Sequence, residues 1–228
     1  MFVVFKDKRL PLLLVFLLIL IRPSFASEAD ISWWIDQLDR SLAQSGRYEA
    51  EYRQQIANRK QLLAGHEGPD ARFEICRQIY QAYQSYRADS ALVYAYRCLS
   101  YAKQLKRADY IVLAQCDIAA ISVSTGDNIQ AYRLLTSIHA EHLPLWLKKI
   151  YYQTKSKFWV ERTNYIGYEP SHSIYEHELS MALDSLIALS KPETSEWYAY
   201  KATRSARLRR HHEAIGYFAK ALADRNLD

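Results

Sequence analysis

Gly126-Asp127-Asn128-Ile129-Gln130-Ala131 reads as a tight turn between two helices. Gly126 suits the left-handed cap that ends one helix, and the next helix starts at Asn128. Ala131 then falls where the two helices cross, a place with room for a methyl group and nothing larger. The same frame recurs at Tyr86–Ala91 (YRADSA) and at Arg209–Ala214 (RRHHEA), with Tyr or Arg in place of Gly. Successive crossing alanines lie about 40 residues apart, or about twice that between Ala131 and Ala214.

Apolar spacing on either side of these turns is helical. Arg72 to Tyr86 puts Ile75, Cys76, Ile79, Tyr83 and Tyr86 on one face. Asp89 is expected to cap a helix running to about Leu105, with Ala91, Ala95, Cys98 and Ala102 as a small-residue stripe. Further helices follow over Ala108–Val123, Asn128–Ile138, Leu145–Tyr165 behind Pro144, Ser173–Leu189, Glu196–Leu208 capped by Ser195, and His211–Ala223. Upstream, Ile31, Trp34, Ile35, Leu38 and Leu42 mark an amphipathic helix over Ala29–Ala43. Ser45-Gly46 is read as its end, with a polar second helix over Arg47–Leu63 and a loop at Gly65–Pro69. With only six Gly and six Pro in 228 residues, turn-dense β architectures are disfavoured. The expected fold is all-α: tandem antiparallel helix hairpins forming a degenerate, tetratricopeptide-like right-handed solenoid. The expected divisions are a signal peptide over 1–26, a helical pair and loop over 27–69, and helical repeats over 70–228.

The formal charge of +5 hints at nucleic acid until it is localised. Lys6, Lys8, Arg9 and Arg22, against Asp7 alone, lie within the first 26 residues, and the remainder is almost balanced. No dense basic stripe remains for phosphate contacts, so no nucleic-acid partner is expected. Those first residues read as an export signal: a basic start, ten apolar residues at Leu12–Ile21, and small residues at Ser24 and Ala26. Ten residues fall short of the roughly 20 that span a bilayer. Cleavage after Ala26 would deliver the chain to a periplasm; the rival reading keeps it anchored to the inner membrane by an uncleaved segment. Membrane contact is expected through that segment only.

The text also resembles a family of exported tetratricopeptide-like proteins of unknown function from anaerobic Gram-negative bacteria. Gln37-Leu38-Asp39-Arg40, Tyr52–Leu63 (YRQQIANRKQLL) and above all Tyr83–Ala95 (YQSYRADSALVYA) carry the resemblance, which covers most of residues 30–224. In such proteins a membrane helix, a coiled coil and a cytoplasmic regulatory domain usually follow the repeats. The resemblance therefore implies the sensor half of a regulator, with the transmembrane and effector parts absent here.

Residues that could carry chemistry are few. His177-Glu178-Leu179-Ser180-Met181 approaches the zinc-protease helix motif, but Met181 stands where a second His must chelate. No phosphate-cradling loop or nucleophile elbow occurs, so no catalytic residue, metal or cofactor is expected. Eighteen Tyr and five Trp are the richer signal. Tyr80, Tyr83, Tyr94, Tyr101, Tyr151, Tyr152 and Trp159 fall on helices that would line the array, where they either fill gaps between hairpins or grip a partner. Arg204 and Arg207 head a basic run that is either a solvated face or a receptor for an acidic segment. Cys76 and Cys98, on facing helices of one hairpin, are candidates for a disulfide. The function expected is a non-catalytic periplasmic interaction or sensor module binding a peptide or protein. The alternative is a glycan-binding solenoid using surface Tyr and Trp.

Overall fold

A computed structural model describes residues 28–66, 68–165 and 171–223. The proposed signal peptide lies outside them. Among the described residues there are nine α-helices, one short 3-10 turn at Ala140–His142 and no strand. The helices are α1 (Glu28–Gly65), α2 (Pro69–Tyr83), α3 (Ala88–Gln104), α4 (Ala108–Thr125), α5 (Asn128–Thr136), α6 (Leu145–Tyr165), α7 (Ser171–Leu189), α8 (Ser195–Arg207) and α9 (His211–Ala223). The chain divides into two units, residues 1–54 and 55–228.

The helix pair expected upstream of the repeats is corrected to one unbroken helix, α1. Gly46 sits mid-helix with open space around it. An interior Gly costs only about 1 kcal/mol relative to Ala, too little to end a helix flanked by strong formers. Side chains also bridge the site: Tyr48 donates to Gln44 and Arg47 pairs with Glu51 at 2.8 Å, each one turn apart. Ile35, Leu38 and Leu42, the expected apolar stripe, are more than half exposed.

The second unit is an all-α helical-repeat solenoid. Helices pair as hairpins α2–α3, α4–α5, α6–α7 and α8–α9, and each packs on neighbours no more than two helices away. The crossing alanines Ala91, Ala131 and Ala214 are all buried, as are Ala95, Cys98 and Ala102 along α3. At the turn after α4, Gly126 is left-handed at φ 83° and Asp127 Oδ1 accepts from Gln130 N at 3.1 Å, capping α5. Arg209 holds the corresponding left-handed place at φ 59°, a conformation unfavourable for a residue with a Cβ. Two expected caps shift by one or two residues. Arg87 precedes α3, leaving Asp89 in its first turn, and Thr194 rather than Ser195 caps α8 by accepting from Trp197 N at 3.3 Å.

Two hairpins meet in one core. Cys116, Ala119 and Val123 of α4 and Leu135 of α5 pack against Phe158 and Trp159 of α6 and Leu179, Leu183 and Leu186 of α7. Each such aliphatic side chain, fully buried, contributes about 1.5–3 kcal/mol. One ionic group is buried nearby. Asp117 of α4 lies 3.4 Å from the Arg77 guanidinium of α2, and Tyr80 donates to the Asp117 backbone carbonyl at 3.3 Å. Burial pushes the Asp117 carboxyl up to about 6, although Arg77 pulls the other way.

Two outcomes follow for stability. Ala131→Leu should cost about 1–3 kcal/mol in urea unfolding, whereas a change at exposed Ile129 should stay within about 0.5 kcal/mol. Because the Asp117 pKa is raised on folding, its contribution is largest below the ordinary carboxylate value and is lost as pH rises through about 6. Acidification from pH 7 to 4.5 should therefore stabilise the wild type relative to Asp117→Asn by on the order of 1–2 kcal/mol. Equal pH profiles for the two proteins would refute that assignment.

Candidate functional site

Helix α5 has nine residues and α6 has 21. At about 1.5 Å per residue, α5 covers less than half the length of its neighbour. Where α5 does lie along α6 the facing side chains are aromatic, and α7 packs on α6 as well. The result is a groove bounded by α5, α6 and α7, described by two adjoining cavities of about 650 and 260 Å³ that share Tyr132, Phe158 and Trp159.

Those three rings build the wall. Phe158 and Trp159 meet edge to face at 4.8 Å between centroids, and Tyr132 approaches them at 6.1 and 6.4 Å. Tyr175 extends the row from α7, 5.2 Å from Trp159. Edge-to-face pairing of this kind holds the rings in place and adds to the energy of burial. Ile129 and Ile174 are exposed at the mouth of the larger cavity. Its polar margin is Asn128, Arg133 and Arg162, the last with its guanidinium carbon 5.7 Å from the Tyr175 ring. In the smaller cavity Lys155 and Glu178 form an ion pair at 2.9 Å, so that charge is internally neutralised. The excess at the groove margin is cationic.

The residues expected from the sequence divide into three groups. Tyr151 and Trp159 line the groove, and Tyr152 packs edge-on against Tyr151 at 5.1 Å. Tyr80, Tyr83 and Tyr94 are buried in and around the first hairpin and do not reach it. Tyr83 and Tyr94 stack at 6.0 Å beneath the Lys60 ammonium, so they fill a helix interface. Tyr101, also on α3, is half-buried away from the groove. Arg204 and Arg207 are not an open basic face. Arg204 pairs with Asp184, while Arg207 donates to Asn164 at 3.2 Å and lies 3.6 Å from Glu176, tying α8 to the preceding hairpin.

Sequence reasoning missed Tyr132, Phe158, Arg162 and Tyr175. One signal was available: Tyr132 follows the crossing Ala131 by a single residue, and so must turn from the interface towards the rim. Cys76 and Cys98 are free thiols in this structure, like Cys116. His177 and Met181 are both exposed, and among the described residues no three His, Cys, Asp or Glu side chains gather as a metal site.

No curated protein and no solved structure gives a significant match to the chain. A family model does: the SusR N-terminal TPR (tetratricopeptide repeat) domain, over residues 42–228. The match takes in all four hairpins, from the first turn at Tyr86 to the last at Arg209, and agrees with the helical-repeat architecture. The chain therefore belongs to the SusR N-terminal TPR domain family.

Proposed function

We propose that this chain is a non-catalytic interaction module that takes an extended segment of a partner protein into the α5–α6–α7 groove. The observation that carries this reading is the aromatic wall beside two arginines. An apolar side chain of the partner enters between Tyr132 and Tyr175, and a neighbouring carboxylate meets Arg133 or Arg162. Helical-repeat folds serve such binding well, because one rigid surface is assembled from several hairpins. A glycan platform fits less well. Stacking on a sugar needs an open ring face, and Trp159 is only 8% exposed. Proposed, too, are a periplasmic location after cleavage near Ala26 and a sensor role, in which occupancy of the groove is reported to an effector.

The binding claim is tested with a fluorescein-labelled acidic peptide carrying Phe and Leu, followed by anisotropy. Tyr132 is half exposed, so Tyr132→Ala should leave the fold intact. Tyr132→Ala and Arg162→Ala should each weaken binding about tenfold. Unchanged affinity in both variants would reject the groove. Location has its own measurement: N-terminal sequencing of the exported protein should begin at Ser27, whereas a membrane-bound chain retaining Met1 would show an anchor instead.

A further inference from the structure

Two of the three cysteines share one hairpin. Cys76 projects from α2 and Cys98 from α3, both essentially without solvent exposure, in an interface whose register is marked by the Tyr83–Tyr94 ring pair. The Cys98 thiol lies 3.8 Å from the Phe73 carbonyl oxygen, one turn before Cys76, and the two thiols are close enough to act on each other's acidity. Cys116 is placed differently. It belongs to the core between α4 and α6, where burial and Asp117 act on it but no second thiol does.

The geometry points to Cys76 and Cys98 as a dithiol that closes into a disulfide within the first hairpin when the chain folds in the presence of an exogenous disulfide. Disulfides form between facing positions on neighbouring elements, and this pair meets that requirement where Cys116 does not. The two thiols are also unequal. The hydrogen bond from Cys98, then the charges of Arg97 and Arg72, outweigh burial and hold the Cys76 thiol below its usual value. The hydrogen bond to Cys76 and burial hold Cys98 well above it. Of the two, Cys76 therefore gives up its proton the more readily, and the thiolate is the attacking form.

The step balances without further reagents. The Cys76 thiolate attacks one sulfur of the exogenous disulfide, whose other sulfur leaves as a thiolate and takes up a proton. Cys98 then loses its proton and displaces the remaining sulfur from the mixed disulfide. One S–S bond forms in the protein and one breaks in the reagent. Two electrons and two protons end on the reagent, as two thiols. Because both protein sulfurs are shielded once the array has assembled, the reaction belongs to folding, and the native reduced chain should react slowly.

The full chain is refolded from urea with oxidised glutathione, alkylated, digested and mapped by mass spectrometry. The expected product has Cys76 and Cys98 in one linked peptide and the alkyl group on Cys116. The bridged protein should melt about 5–10 °C above the reduced protein, the range expected for a bridge closing a loop of this size in a chain of this length. Alkylation of all three thiols after oxidative refolding overturns the proposal, as does a bridge that includes Cys116. A bridged melting point at or below the reduced one shows that the pair does not staple the hairpin, and overturns it equally.

Discussion

The close approach of paired helices at their crossing point governs the second unit. Where the turn folds one helix back on another, the residue five places after its start faces the neighbouring backbone, and only a methyl group fits. Ala91, Ala131 and Ala214 meet that demand in three hairpins and are all buried. From this spacing follow the antiparallel pairing, the nearest-neighbour packing and the direction in which flanking side chains point. The turn itself tolerates more variety. Gly126 adopts the left-handed cap without steric cost, whereas Arg209 adopts it against its own preference, held there by the packing of α8 on α9.

What differs between hairpins is how much they leave uncovered. Along α3 the stripe after the crossing residue is Ala95, Cys98 and Ala102, and α2 closes on it tightly, bringing the Phe73 carbonyl within 3.8 Å of the Cys98 thiol. Along α5 the equivalent stripe is Leu135, with Ile138 just past the helix end, the helix is short, and α6 brings Phe158 and Trp159. Larger side chains and a shorter helix cannot close the interface completely. The groove is what remains. Its rings are held by one another and by the aliphatic core behind them, and its unneutralised charge comes from arginines at the margin rather than from the Lys155–Glu178 pair within.

Much of this was legible in the sequence. The turn frame and the apolar period located the hairpins, because both reflect local constraints that any such fold must satisfy. Gly46 misled for a physical reason: glycine weakens a helix but ends one only when other signals agree, and here Tyr48, Arg47 and Glu51 bridge the site. The site was less legible. Tyr83 and Tyr151 are both buried tyrosines on helices, yet one is an interface filler and the other a groove residue. The distinction depends on the relative lengths of α5 and α6, a property of whole helices that no single residue encodes. Arg204 and Arg207 looked like a basic face only because their partners, Asp184, Glu176 and Asn164, lie 20 to 43 residues away in sequence.

Packing limited to near neighbours also shapes how the unit comes apart. In such a linear array, stability behaves as a sum of terms for each hairpin and each interface, so the ends open more readily than the middle. The α6–α7 hairpin carries interfaces on both sides, to α4 and α5 and to α8. The groove therefore sits in the segment last to fray. A segment arriving there meets a surface already ordered, and little of its interaction energy is consumed in organising the receptor.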